Sequence, residues 1–169
     1  ARLGPLGNIL VADLQNGRNR RITPDGIINT IVGGGQALLP DRTPAASVEL
    51  LYPAAVVADG NGTIYVFENP LGIVKVTPDG RASLLTNFHA DNFGGDGGPS
   101  TAVYVQSSLN NANGLALDDS GNLSVAEGGH GRIRKMNPNG MLTTIAGNGL
   151  YRSAGEGAPA TIALIVFPP

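Results

Sequence analysis

One kind of turn recurs three times and sets a ruler for the whole chain. Pro24-Asp25-Gly26, Pro78-Asp79-Gly80 and Pro138-Asn139-Gly140 place their glycines 54 and 60 residues apart. In each, Pro sets φ, Asp or Asn bonds its own backbone, and Gly closes the turn. Two other landmarks keep step with it. Gly7-Asn8-Ile9, Gly62-Thr63-Ile64 and Gly121-Asn122-Leu123 open a strand, and Arg21-Ile22, Lys75-Val76 and Lys135-Met136 close the next one. A period of this length means one supersecondary unit per repeat, stacked on its neighbours.

The unit is clearest from Gly114 to Gly147. Leu115-Ala116-Leu117-Asp118 is a short apolar run that fits a strand buried on both faces. Asp119-Ser120-Gly121-Asn122 turns the chain, and Leu123 to Glu127 alternates like a half-buried strand. After Gly128-Gly129-His130-Gly131, the stretch Arg132 to Asn137 puts Ile133 and Lys135 on one face and Arg134 and Met136 on the other. The third turn leads to an outermost strand, Met141 to Ala146. This is a four-stranded antiparallel meander, the form of one propeller blade. Aligned on Gly7, the first unit has Ala1-Arg2-Leu3 as its innermost strand. The chain thus reads as all-β, with three blades at about 1–53, 54–113 and 114–169.

Composition agrees with a turn-dense β protein and narrows its partners. Of 169 residues, 25 are Gly and 12 are Pro, with no Cys and no Trp. Charged residues make up 14% and the net charge is −2, against a usual ~25% charged. Such a surface does not draw nucleic acid or anionic membrane by bulk charge. No apolar run approaches the ~18 residues of a membrane span. The chain opens on Ala and shows no signal peptide, and is read as a processed form or a fragment.

The joins between units, from Gly33 to Pro53, Asn87 to Asn113 and Gly147 to Pro169, are longer than the usual ~2–6 residues. Each carries the same rhythm: Arg42-Thr43-Pro44-Ala45-Ala46, Gly97-Gly98-Pro99-Ser100-Thr101 and Gly157-Ala158-Pro159-Ala160-Thr161. Pro followed by small residues predicts a single helical turn with Pro at its first position, in a loop folded down over the blade.

Together these stretches resemble the NHL repeat, in the form common in bacterial secreted and surface proteins. The likeness rests on Gly-Asp-Gly-Gly-Pro-Ser-Thr (95–101), Asn-Gly-Leu-Ala-Leu-Asp (113–118), Gly-Asn-Leu-Ser-Val-Ala-Glu (121–127), Arg-Ile-Arg-Lys-Met (132–136) and Thr-Thr-Ile-Ala-Gly (143–147). It weakens in the earlier units, where Arg42-Thr43 replaces the Gly-rich element and Pro70-Leu71-Gly72 replaces Asn-x-Arg. The resemblance implies a β-propeller, usually of six blades, of which three would be half a ring. It also implies an extracellular or cell-surface location.

Propeller enzymes work at a central channel, with ligands from the innermost strands. Asp59 and Asp118 sit beside turns, where an Asx-turn is expected. The NHL-like amidating lyases use channel histidines for metal, but His89 lies in a join and His130 in a turn. No Gly-x-Ser-x-Gly, His-Glu-x-x-His or phosphate loop occurs. The chain is read as no enzyme, with no cofactor. Asp91 and Asp96 on a Gly-rich loop are the one calcium candidate. Arg18, Arg20, Arg21, Lys75, Arg132, Arg134 and Lys135 recur on third strands and are expected to be solvated. Aromatic residues for base stacking are scarce. Asn61-Gly62-Thr63 and Asn122-Leu123-Ser124 match the glycosylation sequon.

A contact surface is expected where the joins and the strand two-to-three turns emerge together. Its candidates are Asn16, Asn69, His130, Phe88, Phe93, Tyr104 and Tyr151, with a protein or glycan as ligand. Three blades cannot close a ring, since propellers have about 4–8. Leu3 and Leu6 at one end and Leu164, Ile165, Val166 and Phe167 at the other are therefore expected to mediate head-to-tail contact. That contact would give a closed dimer or an extracellular filament, unless further blades of a longer chain supply it. The leading expectation is a non-catalytic binding and assembly module; a degenerate propeller lyase or hydrolase is the rival.

Overall fold

The computed structural model describes residues 1–39, 41–86, 96–100, 114–128, 130–150 and 154–165. They form three antiparallel sheets, each built on a four-stranded meander, with β5 added beside β9 and β10 beside β14 in the second and third. The first holds β1 (Arg2–Leu3), β2 (Ile9–Asp13), β3 (Arg18–Ile22) and β4 (Ile28–Gly33). The second is built from β5 (Thr43–Pro44), β6 (Tyr52–Ala58), β7 (Ile64–Asn69), β8 (Gly72–Val76) and β9 (Arg81–Leu84). The third has β10 (Gly98–Pro99), β11 (Gly114–Leu117), β12 (Leu123–Glu127), β13 (Arg132–Met136) and β14 (Met141–Ala146). The chain divides into two compact units, Ala1–Leu85 and Thr86–Pro169.

Local chemistry explains the strands and their stops. β7 is rich in β-branched and aromatic residues, which fit a pleated, buried surface, and Val66 and Phe67 are fully buried. β6 carries a Pro, and its register slips between Pro53 and Ala55, as expected where a residue cannot donate to the ladder. Another register shift recurs, between Asn19 and Arg20 against β4 and between Ile133 and Arg134 against β14. Simple alternation in the sequence does not show it. The run at 115–117 is buried at Leu115 but exposed at Ala116, so the expectation of burial on both faces does not hold there.

In the first unit the core is shared between two sheets and the join that links them. Leu10 and Val32 come from the first sheet, Ala45, Val48 and Leu50 from the join, and Val56, Ile64, Val66, Val74, Val76 and Ala82 from the second. The join is thus a packing layer.

The joins also add to the expected geometry. They were expected to emerge on the face of the strand two-to-three turns and to fold down over the blade as loops. The first join does run down the second sheet, but it pairs with the sheet as a strand. Thr43 and Pro44 pair with Ala82 and Arg81, and the Ala45 amide donates to Gly80 O at 2.9 Å, beside the opposite turn. The Arg42 guanidinium reaches Asp79 there at 3.0 Å. The second join does the same: Gly98 and Pro99 pair with Leu142 and Met141, and the Ser100 amide donates to Gly140 O at 2.6 Å. The first and second joins therefore each supply a fifth strand, unforeseen in the sequence. The single helical turns do form, at Ala45–Ser47 and Ala160–Ile162, but Pro44 and Pro159 cap them from one place earlier than expected.

The repeated turn owes its glycine to backbone conformation. Gly26, Gly80 and Gly140 have φ of 85°, 75° and 80°, and a Cβ at Gly80 would meet nothing within 4 Å. Gly17 differs, because a Cβ there would also collide with the Leu50 carbonyl. Gly80→Val and Gly140→Val should each cost on the order of 1–3 kcal/mol through strain at positive φ. Gly17→Val should cost more. Denaturant midpoints of the three variants check both the size and the order.

Candidate functional site

An acidic residue stands last, or next to last, in the second strand of each four-stranded meander. Asp13, Glu68 and Glu127 stand six residues after Gly7, Gly62 and Gly121. On the neighbouring third strand the matching places are Arg20, Val74 and Arg134, opposite Val11, Val66 and Val125. In the first sheet Arg20 Nε lies 3.3 Å from Asp13 Oδ2, half-exposed. In the third, Arg134 is fully buried, with Nη1 3.6 Å from Glu127 Oε1 and Nη2 3.1 Å from Asp96 Oδ1. Arg134 was expected to be solvated; burial of an arginine is tolerated here because two carboxylates meet it.

The second sheet lacks the arginine. Glu68 is 0% exposed. Its Oε1 accepts from the Leu51 and Tyr52 amides at 2.6 and 2.8 Å, which anchors the end of the join at the start of β6. Oε2 has no hydrogen-bond partner among the described residues. Burial pushes the carboxyl up from 4.5 to about 7, against the opposing pull of the two amides.

The same end of the first unit carries the β2–β3 turn and the start of β6. Arg18 Nη1 donates to Asn16 O at 3.3 Å, and its counterpart Arg132 donates to His130 O at 3.3 Å and Asn148 O at 2.6 Å. Gly34 and Gly149 lie under these guanidinium groups, where any Cβ would collide. The ionisable groups placed here thus cap carbonyls, cap amides or pair with each other. Beside the exposed Gln15 and Asn16, this end leaves three apolar side chains in water: Leu14, Leu51 and Tyr52.

Of the expected binding residues, Asn16 is exposed in the turn Leu14–Asn16 and its amide donates to Asp13 Oδ1 at 2.8 Å. Asn69 is not on the surface: it is buried as the last residue of β7. His130, expected as a surface loop residue, is half-buried, with Nδ1 3.4 Å from Glu127 Oε2. Phe88, Phe93, Tyr104 and Tyr151 lie outside the described residues, as do His89 and Asp91. At Asp96, the other calcium candidate, Oδ1 accepts from Arg134 Nη2 and from Thr144 Oγ1, each at 3.1 Å. Among the expected assembly residues, Leu3 and Leu6 are exposed, while Leu164 and Ile165 are partly covered. The Leu164 amide donates to Ala154 O at 2.9 Å. Val166 and Phe167 lie outside the described residues.

The turn acids behave as expected. Asp59 Oδ1 accepts from the Asn61 and Thr63 amides, and Asp118 Oδ1 from those of Ser120 and Asn122. The Asn122 side-chain amide and then its backbone N–H hold Asp118 down to about 2, with Lys135 assisting. That amide is therefore engaged at the second sequon, whereas Asn61 at the first is exposed. At the end away from the β2–β3 turn, a groove of about 120 Å³ is lined by Pro5, Leu6, Asn8, Arg21 and Gly62 among others. It is smaller than the ~300–1,000 Å³ of ordinary small-molecule sites.

No known family profile matches the chain, and no curated protein does. Solved structures do. A protein of unknown function from Bacteroides thetaiotaomicron matches with a TM-score of 0.68 at 18% identity, over 99% of this chain and 44% of its own. A catalytically inactive virginiamycin B lyase from Staphylococcus aureus, with quinupristin, matches at 0.51 and 19%, over 85% and 39%. A streptogramin B lyase matches at 0.50 and 16%, over 85% and 38%. The chain spans about two fifths of the length of these proteins. At such identity the likeness shows the fold alone: an all-β propeller, here with three blades of four-stranded antiparallel meanders.

Glu68 yields a pH test. Its folded pKa lies above the unfolded 4.5, so the folded state holds a proton that the unfolded chain has released. Stability therefore falls as pH rises from about 4.5 to about 7 and levels off above that. The fall is on the order of 3 kcal/mol at full ionisation. In Glu68→Gln this component vanishes, which denaturant midpoints for both proteins between these limits measure directly.

Proposed function

We propose that the chain is an NHL-repeat propeller segment acting as a non-catalytic binding and assembly module at the cell surface or outside it. The carrying observation is the end of the first unit that bears the β2–β3 turn. There the buried carboxylate is committed to the backbone of the join, and Leu14, Leu51 and Tyr52 stand in solvent. An apolar patch held rigidly by buried polar anchors suits recognition of a protein or a glycan. The repeat pattern of Gly-Asn-Leu-Ser-Val-Ala-Glu and Arg-Ile-Arg-Lys-Met supports the family. The extracellular placement rests on that same resemblance. Leu3 at 83% and Leu6 at 92% exposure support contact with a further copy of the chain. Half of a six-bladed ring then becomes whole on pairing, or a filament grows if the rotation does not close.

The structural likeness to streptogramin lyases raises the rival reading of a propeller lyase. A streptogramin B incubated with the purified protein should stay chemically unchanged by mass spectrometry, and elemental analysis should find no stoichiometric metal. Turnover, or one bound metal per chain, would overturn the non-catalytic reading. Once a glycan or protein ligand is in hand from an array, Leu51→Ser with Tyr52→Ser should weaken it about tenfold or more, or ~1.4 kcal/mol. Asp79→Ala, at the opposite end of the sheet, should leave it unchanged.

A further inference from the structure

One polar side chain of the first sheet is buried without a hydrogen-bond partner among the described residues. Asn19 is 0% exposed, and neither its Oδ1 nor its Nδ2 is bonded there. In the other two sheets the same place, one before Val74 and Arg134, holds Ile73 and Ile133. An amide standing where an apolar side chain fits is costly to bury unless something bonds it.

Strand pairing fixes where Asn19 points. It stands opposite Ala12 on β2 and Val32 on β4, so the three share a face. Val32 belongs to the core between the first two sheets, and Ala12 packs against it. On the second sheet Glu68 follows Ile64 and Val66 at alternate positions, and both of these belong to that core. Asn19 and Glu68 therefore face one layer from opposite sides. They also share an end of it, Asn19 just after the β2–β3 turn and Glu68 just before the β7–β8 turn. Leu50 ties the two places together. Its carbonyl lies against Gly17 and its side chain against Gly33, while the next amide, of Leu51, donates to Glu68 Oε1. Glu68 Oε2 and both polar atoms of Asn19 are thus left unbonded in one stretch of the core.

We propose that Asn19 and Glu68 Oε2 form an interior site between these two sheets that takes one water molecule, and that this water tunes the proton held by Glu68. A buried water needs about two to four polar partners, and these side chains supply them. With Glu68 neutral, Oε2–H donates to the water, which donates to Asn19 Oδ1. With Glu68 ionised, Asn19 Nδ2 donates to the water, which donates to Oε2. The second arrangement is the stronger because an ion takes part. Asn19 therefore favours the ionised form and opposes the burial that raises the Glu68 pKa. Charged neighbours are otherwise engaged. In the first sheet Asp13 pairs with Arg20, Arg18 reaches Asn16 O, and Arg21 lies at the far end beside Gly62. Glu49 of the join is exposed, and alternation turns Tyr65 and Lys75 to the other face of the second sheet. Because Oε1 clamps the Leu51 and Tyr52 amides, the site stands behind the exposed patch but does not depend on what that patch binds.

Nuclear magnetic resonance on the full chain tests it. Cross-peaks should join a long-lived water to the Asn19 side-chain amide. The Glu68 carboxyl carbon, assigned by its loss in Glu68→Gln, gives the titration midpoint. Asn19→Leu, apolar like Ile73 and Ile133, should abolish the water signal. It should also raise the midpoint by about one pH unit, roughly a tenfold gain in proton affinity. Glu68→Gln should keep the water, since its amide still offers a donor and an acceptor. Absence of a long-lived water at Asn19 in the unmodified chain would overturn the site, whether or not the variants fold. A midpoint unmoved or lowered by Asn19→Leu would overturn the tuning.

Discussion

A strand edge carries a row of backbone donors and acceptors, and this protein is arranged around covering it. The second and third sheets each end in a strand whose outward amides and carbonyls meet two residues of a preceding join. That short pairing does more than satisfy backbone groups. It holds the join along the sheet, which in the first unit brings Ala45, Val48 and Leu50 into the core between two sheets. The pairing carries on past the Pro of the dipeptide, since the Ala45 and Ser100 amides donate to Gly80 O and Gly140 O. Positive φ just before it, at Arg42, Gly97 and Gly157, aims the chain into the pairing. Arg42 accepts a conformation that the other two joins give to glycine.

The acid at the end of the second strand is a second constraint, and its three copies show how one position is used under different burial. Asp13 is half-exposed with Arg20, where a pair of this kind contributes little. Glu127 is buried with Arg134, and removal of either would strand a charge in the interior. Glu68 is buried with amides only, because Val74 stands where the other sheets have arginine. The exchange converts a charge pair into a backbone clamp. It ties the anchoring of Leu51 and Tyr52 to the protonation of a single side chain.

Much of this was legible in the residues. The strands of the third sheet were read to within a residue or so at their ends, because turn chemistry punctuates them: Gly121, Gly131 and Gly140 all adopt positive φ. The fifth strands were not read, since a two-residue pairing has no periodicity; the signal was the repeated x-Pro-small rhythm, taken only as a helical turn. The buried acid series was visible as a constant offset from Gly7, Gly62 and Gly121 but was passed over. An acidic residue at a strand end looks solvated until the arginine or amides that meet it are placed. Arg134 was misjudged for the same reason. The contact surface was read from aromatics in the joins, most of which lie outside the described residues. The exposed Leu14 and Leu51 that share that end with Tyr52 escaped notice, as single leucines carry no pattern.

Strand donation also separates the repeat as written from the repeat as folded. The second sheet takes its edge from Thr43–Pro44 and the third from Gly98–Pro99, both ahead of the stretch where the four-strand pattern begins. The break between compact units falls in keeping with this, at Leu85–Thr86, ahead of the join and not behind it. Anyone excising, duplicating or permuting a blade should therefore cut immediately after the fourth strand. A cut made just before the innermost strand would take a blade without its own edge and carry off the edge that belongs to the next.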